Sequence, residues 1–215
     1  MSGKLLQLAL DIDDTAVALK AATAAADAVD IIEDGTVLCL AQGLGSAREL
    51  RAVFPDKDLL TDIRIARAGG KFARMCFKAG ADRVSVVGES GLDVVTSACE
   101  VAEEFGGGVE VELYDGWSDE EIHSFIEAGA QVFIVHRNRC DEAENEDVRT
   151  QLNRLHALVS DSGVKVTLAG GLNRETLRLF DGCPFDIAVV GSAITKADDP
   201  LAAAREIRDV LNSMK

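Results

Sequence analysis

Short, mostly apolar stretches of this chain end repeatedly in residues able to do chemistry. Asp11 closes LLQLALD, Glu33 follows DII, and Asp62 and Arg64 stand in TDIRI. Glu112 stands in VEVEL, and His136 leads Arg137 and Arg139 in VHRNR. Thr167 precedes Gly170 and Gly171 in VTLAGG, and Gly191 precedes Ser192 in VVGS. Several carboxylates around one mouth repel each other unless a divalent cation or a basic group joins them. Glu33 and Asp62 suit Mg2+, a hard cation that takes one or two carboxylates and fills its other positions with water or substrate oxygens. The alternative is that Glu33 pairs with Arg64. The glycine turns Ala169–Asn173 and Val190–Ala193 offer main-chain N–H groups to a phosphate, with helix starts behind them, and need no net positive charge.

The stretch Leu59–Gly70, LLTDIRIARAGG, carries the sharpest signal. Residues two apart on a strand share a face, so Asp62 and Arg64 point one way while Ile63 and Ile65 pack the other. A carboxylate and a guanidinium on an inner face are costly unless they pair with each other or a ligand uses them. Both readings stand at the level of the sequence.

The positioning elements alternate. Predicted strands cover Leu5–Ile12, Asp30–Thr36, the start of the Leu59–Gly70 stretch, Arg83–Gly88, Val109–Tyr114, Gln131–Arg137, Lys165–Gly171 and Ile187–Gly191. Predicted helices cover Thr15–Val29, Gly45–Phe54, Gly70–Ala79, Gly91–Phe105, Ser118–Ala128, Val148–Ser160, Asn173–Phe180 and Pro200–Leu211. SDEE at 118–121 is a capping-box signature, Asn173 is a cap, and Pro200 fits a first turn. Strand–helix alternation implies a parallel sheet, and eight units imply a closed (β/α)8 TIM barrel as one domain over 1–215, with an open doubly wound sheet as the alternative. DIDDTA after the first strand lacks the glycine-rich fingerprint of that alternative. In a barrel the residues above gather at the carboxyl ends of the strands. Asn138–Asp147, acidic and polar, is the one loop-like insertion, on the face where barrel enzymes keep moving loops.

The formal net charge of −15 argues against nucleic acid or an anionic membrane surface as partner. The five cysteines are odd in number and show no metal spacing, which fits free thiols in a reducing cytoplasm. MSGKLLQLALDID lacks the marks of a signal peptide, and no window reaches the ~18 apolar residues of a membrane span. The expected location is cytoplasmic.

Taken together, LALD at 8–11, DIIEDGT at 30–36, TDIRIARAGG, RMCFKAGAD at 74–82, VEVEL at 109–113, VHRNR at 135–139, VTLAGGL at 166–172 and VVGSAI at 189–194 resemble the 3-keto-L-gulonate 6-phosphate decarboxylases. These are grouped with the 3-hexulose-6-phosphate synthases and, more distantly, the orotidine monophosphate decarboxylases. RMCF, the Glu112 strand and the HRxR pattern look more like the decarboxylase; VVGSAITKADDP looks more like the synthase. The resemblance implies a homodimer with active sites at the subunit interface, Mg2+, a sugar-phosphate substrate and chemistry through an enediolate. It implies that Asp11 binds substrate, that Glu33 and Asp62 hold Mg2+, and that Glu112 supports the metal or substrate shell. His136 and Arg139 would position the water that protonates the enediolate. Gly170, Gly171, Gly191 and Ser192 would hold phosphate, and Thr167 and Arg67 would join Asp11 and Glu112 in binding substrate.

Three positions depart from the family pattern. Strand three of the family reads Asp-x-Lys-x-x-Asp; here it reads Asp62-x-Arg64-x-x-Arg67. Arg64 keeps a permanent cation where the enediolate develops but does not readily cycle a proton. Arg67 reverses the charge of a residue that, in the family, reaches into the partner's site. Ser192 stands where the decarboxylases usually carry Arg and the synthases carry Ser. The resemblance therefore implies decarboxylation of 3-keto-L-gulonate 6-phosphate, with synthase-type aldol chemistry or a diverged sugar-phosphate binder as alternatives.

Overall fold

The computed structural model describes residues 3–137 and 142–214. Eight parallel strands, β1 (Leu5–Ala9), β2 (Ile31–Asp34), β3 (Asp58–Ile65), β4 (Arg83–Val87), β5 (Gly108–Glu112), β6 (Val132–His136), β7 (Lys165–Ala169) and β8 (Ile187–Val190), close a barrel in chain order. The seam joins β1 to β8, with Leu5 opposite Ile187. The helices are α1 (Thr15–Ala25), α2 (Thr36–Gln42), α3 (Gly45–Val53), α4 (Gly69–Ala79), α5 (Leu92–Phe105), α6 (Asp119–Glu127), α7 (Glu142–Val159), α8 (Arg174–Leu177), α9 (Ser192–Thr195) and α10 (Pro200–Ser213). The alternation in the sequence is thus the alternation in space, and the barrel, not the open sheet, is the fold.

The strands look nearly continuously apolar because their outward residues pack under helices while some inward ones pack on each other. Leu6, Leu8, Val84, Val86, Val109 and Val111 belong to the layer between strands and helices. Ile31, Val132 and Ile187, with Leu5 against them, form a separate small cluster that plugs the amino-terminal end of the barrel. Beside that plug Arg83 pairs with Asp58 at 2.5 Å and with the fully buried Glu110 at 3.3 Å.

Local signals set the helix starts. Ser118 and Glu121 form the capping box of α6, Asn173 and Thr176 form another at α8, and Asp199 caps α10 with Pro200 in its first turn. The differences from the sequence reading have physical causes. The strand predicted over Asp30–Thr36 stops at Asp34, and α2, which the sequence reading does not contain, starts at Thr36 after a glycine N-cap. Another unpredicted turn of helix, α9, follows Gly191. The segment read as an inserted loop, 138–147, is helical from Glu142 onward; its four preceding residues lie outside the described ones.

β3 keeps Asp62 and Arg64 on the inner side, and Ile63 and Ile65 pack outward against the helix layer. It does so through a bulge and not by plain alternation. Thr61 pairs with Val84 and Ile65 with Val86, so Asp62, Ile63 and Arg64 lie opposite Ser85 alone. Arg64 absorbs the excess chain with φ 47°, a left-handed conformation rare for a side chain of its size.

Candidate active site

A cavity of about 480 Å³ opens at the carboxyl ends of the strands. Asp11, Glu33, Asp62, Arg64, Glu112, His136, Gly170, Gly171, Gly191 and Ser192 all line it. The residues picked out as strand ends therefore meet, because parallel strands in a closed barrel deliver all their carboxyl ends to one rim.

Glu33 is the most constrained of them. It is buried, and its Oε2 accepts a hydrogen bond from Gln7 Nε2 at 2.7 Å. Burial first, and the Asp62 charge second, hold its carboxyl well above the usual range; the Gln7 bond opposes them. Asp62 is gripped by two hydroxyls: Ser85 donates to Oδ1 at 2.5 Å and Thr36 to Oδ2 at 2.6 Å. Arg64 Nε lies 3.1 Å from Glu112 Oε2 and 3.7 Å from Asp62 Oδ2. Burial raises the Glu112 carboxyl, and Arg64 pulls it back. The guanidinium thus pairs with Glu112 and Asp62, not with Glu33. Glu33 is left as a buried carboxylate without a cationic partner among the described residues.

That imbalance is what a divalent cation would relieve. Among the described residues no three His, Cys, Asp or Glu side chains converge on one metal position. Mg2+ needs no such triad, since one or two carboxylates with water or substrate oxygens satisfy it. Glu33 and Asp62, oxygen donors on adjacent strands whose charges disfavour each other, fit it.

Gly35 packs closely on Asp11, and Gly170 is required by a close approach of backbone. A Cβ on Gly35 would stand 2.6 Å from Asp11 Oδ1, the same oxygen that accepts the Val37 N–H at 3.3 Å. Gly170, at φ 99°, has no room for a Cβ beside the Arg137 carbonyl. Arg137, almost fully buried, donates to the carbonyls of Gly170 at 3.2 Å and Gly171 at 3.4 Å, and to Asn145 Oδ1 at 2.7 Å. The turn after β7 is therefore braced from β6, and the Gly171 N–H is left with no acceptor among the described residues.

Some expectations do not fit the geometry. The strand predicted over Lys165–Gly171 ends at Ala169, so Thr167 sits fully buried two residues below the rim and does not line the cavity. Arg67 is exposed on the loop after β3, does not line the cavity and makes no ion pair among the described residues. Arg139 lies outside the described residues. The sequence reading also lacks Gln7, Thr36 and Ser85, which hold the carboxylates, and Lys196, which lines the cavity. For Gln7 and Ser85, polar side chains inside apolar strands, and for Thr36, at a helix start, that placement was the available signal.

Comparison with known proteins identifies relatives of the whole chain. The chain is 40% identical over 212 residues to the 3-keto-L-gulonate-6-phosphate decarboxylase UlaD of Escherichia fergusonii, covering 97% of this chain and 96% of that one. Its structure resembles that of KGPDC from Streptococcus mutans, with a TM-score of 0.88, 31% identity and 99% of each chain covered. It also resembles 3-hexulose-6-phosphate synthase from Salmonella typhimurium, with a TM-score of 0.82, 30% identity and coverage of 96% of this chain and 98% of that one. The profile of the Orotidine 5'-phosphate decarboxylase / HUMPS family matches residues 4–207, and the chain belongs to that family.

Proposed function

We propose that this carbon–carbon lyase decarboxylates 3-keto-L-gulonate 6-phosphate to L-xylulose 5-phosphate and CO2 in the cytoplasm, with Mg2+, as a homodimer. The observation that carries the reading is Arg64, a permanent cation held over a carboxylate-lined cavity by Glu112 and Asp62 and facing the braced glycine turns. Loss of CO2 from a β-keto acid moves the bonding pair onto the ketone oxygen and leaves an enediolate. Arg64 stands where that negative charge develops, in a site partly shielded from water, where a fixed cation counts for more than in bulk solvent. Mg2+ at Glu33 and Asp62 would supply a second positive centre for substrate oxygens. Ser85 and Thr36 keep Asp62 aimed into the cavity, and Gln7 does the same for Glu33. His136 at the rim holds the water that returns a proton to carbon, with Arg139 as its partner in this role. Asp11 orients the sugar hydroxyls, and Glu112, tied to Arg64, completes the substrate wall. The turns at Gly170, Gly171, Gly191 and Ser192 receive the phosphate.

The homodimer reading rests on exposed apolar side chains of α2 beside the cavity: Val37, which lines it, is 45% exposed and Leu40, one turn on, is 83% exposed. Apolar groups of that size at a rim gain from being covered by a second copy. Arg67, outside its own cavity, would then face the partner's.

The test is CO2 release from 3-keto-L-gulonate 6-phosphate in the presence of Mg2+; no turnover overturns the reading. A second reading, aldol joining of formaldehyde to ribulose 5-phosphate, is favoured by Ser192 in the phosphate turn and is scored by formaldehyde-dependent loss of ribulose 5-phosphate. Inertness in both assays with retained sugar-phosphate affinity would leave a binder.

A further inference from the structure

The cavity has two walls of opposite need. Asp11, Glu33, Asp62 and Glu112 line one, and the glycine turns after β7 and β8 line the other. The Arg and Lys side chains among the described lining residues are those of Arg64 and Lys196. Arg64 is occupied by Glu112 and Asp62. The Lys196 ammonium makes no hydrogen bond or ion pair among the described residues, and the residue is exposed.

We propose that Lys196 is the charged partner of the substrate's phosphate, completing a site whose glycine turns carry no cation of their own. This rests on the phosphorylated substrate proposed above. Lys196 follows α9 directly, and its N–H donates to the Ser192 carbonyl at 3.1 Å, so the helical turn runs through it. Ser192, Thr195 and Lys196 are spaced i, i+3 and i+4, share one face, and all line the cavity. Lys196 closes that turn as its C-cap and lines the same cavity as Ser192 and Gly191, which leaves the ammonium on a long, flexible stem within the phosphate end of the cavity. A Lys ammonium is a compact point charge with three donors, suited to phosphate oxygens that the N–H groups of the turns leave unpaired. It also orients the substrate: the phosphate is drawn to the wall that carries Lys196, while Arg64 on the other wall is occupied by Glu112 and Asp62.

Lys196→Met and Lys196→Arg test this. Inorganic phosphate, L-xylulose 5-phosphate and unphosphorylated L-xylulose are each titrated by calorimetry into the wild type and both variants, and KM and kcat are measured for CO2 release. Lys196→Met should weaken inorganic phosphate and L-xylulose 5-phosphate about tenfold or more and raise KM more than it lowers kcat. L-Xylulose should bind all three proteins alike, and Lys196→Arg should recover most of the phosphate affinity. Phosphate affinity and KM within about twofold of the wild type in Lys196→Met would overturn the proposal while CO2 release still upheld the substrate. A wild type that binds no inorganic phosphate overturns it as well. Lysine-dependent phosphate binding without CO2 release would uphold Lys196 and sink the proposed substrate.

Discussion

The Ser85 hydroxyl donates to Asp62 Oδ1 at 2.5 Å. Its own oxygen, Oγ, accepts the main-chain N–H of Arg64 at 2.9 Å. One small residue on β4 therefore fixes both ends of the β3 bulge that carries the carboxylate and the guanidinium. Ser85→Ala leaves the Arg64 N–H unpaired and leaves Asp62 held at Oδ2 by Thr36 with its Oδ1 released. An unpaired, partly buried donor costs about 1–3 kcal/mol, so denaturant unfolding should show a loss of that size, and kcat/KM should fall as well because the carboxylate and the guanidinium lose their shared support.

Arg64 is held at φ 47°. Arg64→Ala and Arg64→Gly both remove the guanidinium and differ in whether the backbone strain stays. The glycine variant should be more stable than the alanine variant by about 1 kcal/mol in denaturant unfolding, because glycine enters the left-handed region without penalty. Both should lose at least about a hundredfold in kcat. Equal stability of the two would show that the bulge is relaxed.

Glu33 lacks a cation among the described residues, and its carboxyl is pushed upward by burial and by Asp62. Mg2+ binding should therefore release protons, and affinity should weaken as pH falls through the raised value of Glu33. Calorimetry in buffers of different ionisation enthalpy reads the proton count. A chelator should abolish CO2 release, and added Mg2+ should restore it. Glu33→Gln should lose the rise in Tm that Mg2+ confers on the wild type.

Gly170→Ala forces a Cβ against the Arg137 carbonyl at a φ of 99°. The backbone of the β7 turn must then move. We expect a loss of at least about 2 kcal/mol by chemical denaturation, together with weaker phosphate binding.

Glu110, fully buried beside Arg83, has its carboxyl pushed up from 4.5 to about 7, by burial above all. The folded state keeps this proton where the unfolded chain has already released it. The full stability is present below about pH 4.5 and declines as pH rises to about 7, a difference on the order of 3 kcal/mol. Glu110→Gln should remove that decline, so the stability gap between variant and wild type should shift in the variant's favour from about pH 5 to about pH 8. Urea midpoints at the two values measure it.

By itself the sequence determined the barrel and its rim. The strand–helix alternation needs only local patterning: apolar runs of strand length, caps at Ser118 and Asn173, Pro200 in a first turn, and glycine turns. Once eight such units close, geometry places Asp11, Glu33, Asp62, Glu112, His136 and Gly191 on one mouth, so the strand-end residues were legible in one dimension. Only the tertiary structure decided what each of them touches. The β3 bulge depends on the register with β4, which no pattern within β3 records, and that bulge brings Ser85 under Asp62 and Arg64 under Glu112. Thr167 sits below the rim because the end of β7 is set by pairing with its neighbours and not by its own residues. Lys196 reaches the cavity because an unpredicted turn of helix aligns it with Ser192. Partner choice among charged groups is a question of distance and burial across strands, and those quantities exist only after the chain has closed.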